Sequence, residues 1–285
     1  MRGREASEAE AVRVREIRPG RGWVALHLGE LWEYRELLYF LIWRDVKVRY
    51  KQAVLGVAWA VLQPLLTMVV FDLVFNRLIG VPYRAVAGVP YTLFTYAALL
   101  PWQLFSGSLQ RSGTSLVGNA NLLTKVYFPR LVIPLSAVLA GLVDFAVAFV
   151  VFLVLMAGYH HLPTVNVLWL PLLTLLALAT ALAFGLWLSA LNVLYRDVQY
   201  VIPFLVQLWL FVSPVAYEPT ALGGAWAVLY SLNPMAGVIQ GFRWALLGGP
   251  APDTGLLVSS TMVAVLLVSG LFYFRRMERV FADVV

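Results

Sequence analysis

Long apolar runs alternate with short polar stretches along the 285 residues of the chain. Runs of about 20 residues can cross a hydrocarbon core about 30 Å thick, so their repetition is typical of membrane spans. The pattern predicts an all-α integral membrane protein with six transmembrane helices. We place the spans at residues 53–79, 89–109, 132–157, 167–191, 200–215 and 255–274, of which the fifth is the shortest.

Two further apolar segments, 225–232 and 235–247, are separated by Asn233-Pro234 and are too short to cross a bilayer. Irregular backbone at membrane depth is tolerated where protein or water surrounds it. We therefore predict an extracytoplasmic re-entrant hairpin between the fifth and sixth spans.

Residues 31–43 are apolar and aromatic but also too short to span, and charged side chains interrupt their first two turns. This pattern is typical of an amphipathic helix that lies in the membrane interface. We expect Trp32, Tyr34 and Tyr39 of this interfacial helix to lie at the level of the lipid headgroups.

The first 30 residues differ in character from the rest of the chain. They are charged and contain no apolar core of the kind found in a signal peptide. We predict a charged cytosolic extension over residues 1–30 and a membrane domain over residues 31–285.

Composition supports a membrane protein, because 61% of the residues are hydrophobic, 13% are charged and the mean hydropathy is +0.80. Soluble domains carry about 45–50% apolar and about 25% charged residues. A soluble enzyme is therefore excluded. The absence of cysteine also excludes disulfides and cysteine-based metal sites.

The basic residues are distributed unevenly between the two sides of the predicted membrane. The outer side holds Arg77, Arg84 and Arg243. The predicted cytosolic flanks hold Arg44, Lys47, Arg49, Lys51, Arg111, Lys125, Arg130, Arg196, Arg275, Arg276 and Arg279. Because basic residues favour the cytosolic side, both termini are predicted to be cytosolic. The formal charge of +6 thus reflects orientation rather than affinity for nucleic acid.

Four motifs follow one another in the chain. The first, residues 44–66, is RDVKVRYKQAVLGVAWAVLQPLL, and the second, residues 121–134, is NLLTKVYFPRLVIP. The third, residues 192–203, is NVLYRDVQYVIP, and the fourth combines SPVAYEP at 213–219 with NPM at 233–235. In this order they resemble the ABC-2 type permeases that export O-antigen, capsule and teichoic acid polysaccharides.

The resemblance implies a transport subunit of the bacterial inner membrane and not an enzyme. Such a permease forms a homodimer, pairs with two copies of a separate ATPase subunit and passes a lipid-linked polysaccharide outward. The chain itself contains no G-x-x-x-x-G-K-[ST] motif, so no cofactor is expected in it and the partner would bind ATP and Mg²⁺.

In the resembled family, the cytosolic stretch 111–130 contains the coupling helix that docks on the ATPase. The candidate coupling residues are Asn119, Asn121, Leu122, Leu123, Lys125 and Tyr127. Arg196 and Asp197 would brace the next cytosolic turn against the same partner. The alternatives are an ordinary basic loop for the stretch and a structural salt bridge or solvated pair for Arg196 and Asp197.

Asp144 is an acid near the centre of the third span, about 18 Å along the helix from Val132. An ionised carboxylate in lipid is costly. In a structural role, Asp144 would be a packing residue that is protonated or hydrogen-bonded. In a functional role, it would act as a proton relay or as a polar contact in the pore.

Four small residues recur at four-residue spacing in the fourth span: Ala177, Ala181, Gly185 and Ser189. Because i and i+4 positions share one helix face, we predict a surface for close helix packing.

Aromatic residues make up 14% of the chain, and sugar rings stack on aromatic faces. The candidates for a glycan path are Tyr91, Phe94, Trp102, Phe105, Trp209, Tyr217, Trp226 and Trp244. An aromatic belt at the two membrane interfaces is the alternative.

No catalytic motif and no metal site is predicted. His160 and His161 lack a third ligand at suitable spacing. The rival functions are an ABC-2 permease for another lipid or a drug, and a proton-coupled flippase for lipid-linked sugars that would depend on Asp144.

Overall fold

A computed structural model describes residues 28–51, 56–80, 88–218, 232–252 and 254–284, and this part of the chain is helical without any strand. A π-helix at Asp72–Leu78 extends α3, and a 3₁₀ helix at Val165–Trp169 precedes α8. The α-helices are α1 (Leu28–Glu33), α2 (Arg35–Lys51), α3 (Gly56–Phe71), α4 (Tyr91–Gly118), α5 (Ala120–Lys125), α6 (Val132–Leu139), α7 (Gly141–Gly158), α8 (Leu170–Leu194), α9 (Val198–Val212), α10 (Pro234–Leu247) and α11 (Thr254–Val284).

Within the described ranges, four helical stretches are long and apolar enough to cross a membrane: Ala58–Leu78, Val132–Gly158, Val165–Leu194 and Thr254–Phe281. They coincide with the predicted first, third, fourth and sixth spans. The predicted second span lies in α4, whose C-terminal half carries polar residues. The predicted fifth span is α9, whose 15 residues extend about 22 Å. Six spans therefore remain a prediction.

Two helices extend beyond the predicted ends. The interfacial helix was expected to end at residue 43, but α2 continues through the basic run to Lys51. The second span was expected to end at residue 109, but α4 continues to Gly118, so that Arg111 is helical. Apolar length marks the hydrocarbon core, whereas charged and polar residues such as Arg, Lys and Gln continue a helix readily outside it.

Helix α4 forms the centre of the fold and packs most extensively on α8. The two helices approach closely because Gly185 of α8 has no side chain. A Cβ added there would lie 2.4 Å from Oγ of Ser112 in α4. The small-residue surface predicted on the fourth span is confirmed, since Ala177, Ala181, Gly185 and Ser189 are all buried.

One end of the bundle, which we call the basic end, gathers α2, the segment 122–133 and the last turns of α8 and α11. An apolar cluster joins them, with Leu41, Leu123, Val193 and Phe281 among its buried members. The first and last helices of the described chain therefore meet at the same end.

At the opposite end, Asn233 begins α10. Its Oδ1 accepts from the backbone N–H of Met235 and from Nε1 of Trp209, both at 3.0 Å. Its Nδ2 donates to Oγ of Ser213 at 3.1 Å, so the two parts of the fourth motif are in contact. Helix α10 coincides with the second limb of the predicted re-entrant hairpin and is almost wholly buried, while the hairpin itself stays a prediction. Most of the first limb, including Trp226, lies outside the described residues.

Candidate functional site

A polar cluster joins three helices near the basic end. Asp144 lies in the first turn of α7, Arg111 lies two turns before the end of α4, and Arg49 and Tyr50 lie at the end of α2. Oδ2 of Asp144 accepts from Nη1 of Arg49 and, at 3.4 Å, from Nη1 of Arg111, while Oδ1 accepts from the Tyr50 hydroxyl. One carboxylate therefore serves two guanidinium groups, and the cluster has an excess of positive charge.

The guanidinium of Arg111 lies in a slot made by two glycines. A Cβ at Gly107 would lie 3.1 Å from Nη1, and a Cβ at Gly141 would lie 2.5 Å from Nη2. The other contacts of this guanidinium, to Oγ of Ser108 and to the carbonyl of Ala137, are 3.4 Å long. Arg111 is thus held in place by shape and makes only long polar contacts.

Tyr50 acts as a fixed donor to this cluster. Burial raises the pKa of Tyr50 to about 12, and the hydrogen bond to Asp144 and the charge of that carboxylate act in the same direction. The hydroxyl therefore keeps its proton throughout the physiological pH range and continues to donate to Asp144.

A cavity of about 500 Å³ opens beside the cluster, between α2, α3, α4 and α7. Its polar wall contains the cluster and three glutamines, Gln63, Gln103 and Gln110. The side-chain amides of these glutamines have no hydrogen-bond partner within the described chain. Trp59, whose side chain is exposed, lines the cavity on the α3 side. The cavity therefore combines cationic groups, free amides and an aromatic face.

The sequence singled out Asp144 but missed its partners. Arg49 and Gln63 belong to the first motif and Arg111 begins the predicted coupling stretch, but the sequence alone did not connect any of them, or Gln103, with Asp144. A usable signal was available, because an acid within an apolar run often pairs with a basic side chain on a neighbouring helix. Arg111, two residues beyond the predicted end of the second span, was the nearest candidate.

The proposed coupling residues lie at the basic end, around α5. Leu123 is buried in the apolar cluster and Leu122 is half-buried, whereas Asn121, Lys125 and Tyr127 are exposed. Asn119 lies at the junction of α4 and α5, where its Oδ1 accepts from Nη2 of Arg44 at 2.9 Å. The predicted stretch therefore presents an outward face, and it is bonded directly to α2.

Arg196 and Asp197 lie in the turn between α8 and α9, and both are exposed. Neither side chain takes part in an ion pair in the part of the chain that the structure describes. A salt bridge between them, one of the alternatives considered from the sequence, is thus not formed here.

The interfacial helix has two different faces. Trp32 and Tyr39 are 73% and 70% exposed, and Phe40 and Trp43 are exposed as well, while their position at the lipid headgroups stays a prediction. Tyr34, by contrast, is half-buried and packs against the apolar cluster of the basic end. Helix α2 therefore contacts the bundle with one face and leaves an aromatic face uncovered.

Most of the proposed glycan-path aromatics pack inside the chain. Tyr91, Phe94, Trp102 and Phe105 are almost completely buried, so in this conformation they do not face a path. The Phe94 ring, for example, lies 3.5 Å from the guanidinium carbon of buried Arg243. These residues were candidates because they are aromatic. The direction in which each side chain points is visible only from the packing.

The other described candidates are half-buried. The Trp209 ring lies edge-on to Phe105 at a centroid distance of 5.0 Å, and Trp244 lies 6.2 Å from Trp169. The Tyr217 hydroxyl donates to the carbonyl of Val212 at 3.2 Å. All three are thus engaged in contacts within the chain.

Helix α9 carries a stripe of exposed aromatic residues whose shared face was not predicted from the sequence. Tyr200, Phe204 and Phe211 are 74%, 61% and 57% exposed, and their spacing of four and seven residues places them on one helix face. Helical periodicity applied to the short fifth segment would have revealed the stripe.

A model of a known family, described as ABC-2 type transporter, matches residues 36–247. The chain belongs to the ABC-2 type transporter family. The match covers this ABC-2 chain from α2 to α10 and includes Arg49, Arg111 and Asp144.

Relatives of this ABC-2 chain carry more specific names. It is 34% identical over 254 residues to the O-antigen export system permease protein RfbA of Myxococcus xanthus, covering 87% of this chain and 96% of that protein. It is 28% identical to a protein of the same name from Klebsiella pneumoniae, covering 87% and 95%. The polysialic acid transport protein KpsM of Escherichia coli is 22% identical, covering 84% and 92%.

Proposed function

We propose that the chain is the permease subunit of an ATP-driven exporter that moves a lipid-linked polysaccharide of the O-antigen type out of the cytosol across the inner membrane. The observation that carries the proposal is the similarity to an O-antigen export permease over 96% of that protein's length. The first motif and the similarity to KpsM point to the same cargo class.

The working unit in this proposal is a homodimer with its translocation path between the two copies. The exposed stripe on α9 supports this arrangement, because Tyr200, Phe204 and Phe211 remain 57–74% exposed in the part of one copy that the structure describes. Aromatic faces suit a passing glycan, since they stack on sugar rings without fixing one hydrogen-bonding pattern.

The proposed partner is a separate ATPase subunit, two copies of which dock at the basic end. Here α5 presents Asn121, Lys125 and Tyr127, while Leu123 anchors the helix in the apolar cluster. A small helix anchored in this way transmits a rigid-body displacement, which a flexible loop would absorb. The ATPase would bind ATP and Mg²⁺, and the basic end with both termini would face the cytosol.

Co-purification tests the proposal most directly. We expect a P-loop ATPase to accompany the full chain in equimolar amounts when native membranes are solubilised gently. Replacing residues 121–125 by a Gly/Ser linker should abolish both this association and polysaccharide export, while insertion into the membrane is retained. The same replacement at residues 249–252, at the opposite end, is the matched control and should change neither.

A dimeric preparation without any ATPase would contradict the proposal. Normal export by the 121–125 linker variant would contradict the role assigned to α5.

A further inference from the structure

The cavity between α2, α3, α4 and α7 has the composition of an anion site. Two arginines share one aspartate, so the cluster retains one positive charge that its own residues do not balance. The side chains of Arg49 and Arg111 are 30% and 28% exposed, and both line the cavity. An uncompensated charge beside a low-dielectric region favours binding of an anion.

The hydrogen-bonding capacity points to phosphate in particular. The Arg111 guanidinium makes contacts of 3.4 Å only, which leaves it able to form shorter, charge-assisted bonds of about 2.7–2.9 Å. Its planar fork matches the geometry of phosphate oxygens. The free amides of Gln63, Gln103 and Gln110 add neutral donors around the same space.

The position of the cavity points to a lipid headgroup. Arg49 is two residues from the end of α2, whose aromatic face is uncovered, and Trp59 lies in the first turn of α3. Arg111 is seven residues, or about 10 Å, from the basic end of α4. The charges are thus near the inner interface, with apolar side chains such as Leu104 and Phe145 deeper in the wall.

We propose that this cavity binds the diphosphate of a polyprenyl diphosphate-linked sugar before transport, with Arg111 and Arg49 as the anion ligands. The proposal rests on the proposed function and deepens it. Asp144 positions both arginines in the empty state, and the diphosphate takes over part of that pairing when it binds. The glutamines contact the phosphate oxygens or the first sugar, and a volume of about 500 Å³ lies in the range of small-molecule sites.

The test uses the full chain in nanodiscs of phosphatidylcholine, with geranylgeranyl diphosphate as the probe. We expect saturable binding, a tenfold or greater increase in Kd for Arg111→Gln, and a smaller increase for the double variant Gln63→Leu and Gln110→Leu. The double variant leaves the ion cluster intact, so a loss of binding there cannot come from unfolding of the cluster. Matched controls are Arg77→Gln, an exposed arginine beyond α3, and Gln240→Leu in α10, which should bind as the original chain does.

Two competitors separate the possible sources of the anion. Uncharged geranylgeraniol and phosphatidylglycerol should each compete at least tenfold more weakly than the diphosphate. Equal competition by geranylgeraniol would overturn the role of the charges, and equal competition by phosphatidylglycerol would overturn the assignment to a diphosphate. Unchanged binding in Arg111→Gln would overturn the site itself.

Co-purification of the ATPase with the same variants keeps this proposal distinct from the proposed function. Retained ATPase association with lost probe binding supports the headgroup site. Retained association with unchanged probe binding rejects the site and leaves the exporter intact, whereas absence of the ATPase from every sample rejects the exporter.

Discussion

Substitution of Gly141 by alanine is the sharpest probe of the Arg111 slot. The new Cβ would lie 2.4 Å from Oγ of Ser108 and 2.5 Å from Nη2 of Arg111, about 1 Å closer than ordinary contact. Both atoms belong to the ends of side chains, so these side chains move while the backbones of α4 and α7 stay in place. The displacement disturbs the contact of Arg111 with Asp144 and the bond from Ser108 to the Val138 carbonyl.

The two energetic effects of this substitution oppose each other. Disturbing two polar contacts and crowding the slot costs about 1–3 kcal/mol, while alanine in a helix regains up to about 1 kcal/mol relative to glycine. We therefore expect a net destabilisation of about 2 kcal/mol or less. If Arg111 binds the cargo headgroup, loss of one charge-assisted bond of about 1.5–3 kcal/mol lowers affinity at least tenfold.

Two quantities are measured for each variant. One is the amount of surface polysaccharide in cells that carry only that variant, and the other is the thermal stability of the purified chain in detergent. Gly158→Ala is the control in the same helix, because a Cβ there meets nothing within 4 Å. We expect Gly141→Ala to lose most export while folding nearly normally, and Gly158→Ala to be unchanged in both. Normal export by a well-folded Gly141→Ala chain would refute the reasoning.

Three further substitutions test other contacts. Arg44→Ala should lower export without loss of ATPase association, because it removes the hydrogen bond from α2 to Asn119. Adding Asn119→Ala should lower export little further. Fully additive losses of export in this double-mutant cycle would contradict the link. Gly185→Ala should destabilise the detergent-solubilised chain by about 1–3 kcal/mol, because its Cβ would lie 2.7 Å from Cβ of Ser112. Adding Ser112→Gly should restore the melting temperature. An unrestored melting temperature would disprove the steric account. Tyr127→Ala should reduce ATPase recovery in the pull-down, and equal recovery would contradict docking at this exposed ring.

Tyr159→Ala is the matched control for Tyr127→Ala. Tyr159 is also an exposed tyrosine, 48% accessible, but it follows the end of α7 far from α5. Its substitution should leave ATPase recovery unchanged.

The sequence predicted most of the features that depend on the thickness of the bilayer. Apolar length located the four stretches that the structure identifies as able to cross, because each must match the same hydrocarbon thickness. It misjudged the ends of α2 and α4, because charged residues such as Lys51 and Arg111 leave the lipid without ending the helix.

The candidate site was harder to predict, since its parts are distant in the chain. Asp144 was conspicuous because an acid in an apolar run is rare, but its partners Arg49 and Arg111 are 95 and 33 residues away and sit in ordinary polar surroundings. The burial of several aromatic candidates could not be predicted for a related reason. The chain shows that Phe105 is apolar and large, but not that it turns inward while Phe204 turns outward.

The shared carboxylate of Asp144 also bears on how the protein is made. Ribosomes deliver α4 to the membrane before α7, so Arg111 emerges while the aspartate that receives it is still 33 residues away. An arginine at the membrane boundary is less costly when a carboxylate pairs with it, and α4 is not among the four described stretches that are long and apolar enough to cross a membrane. We therefore expect α4 to settle at its final depth only once α7 has followed it into the membrane.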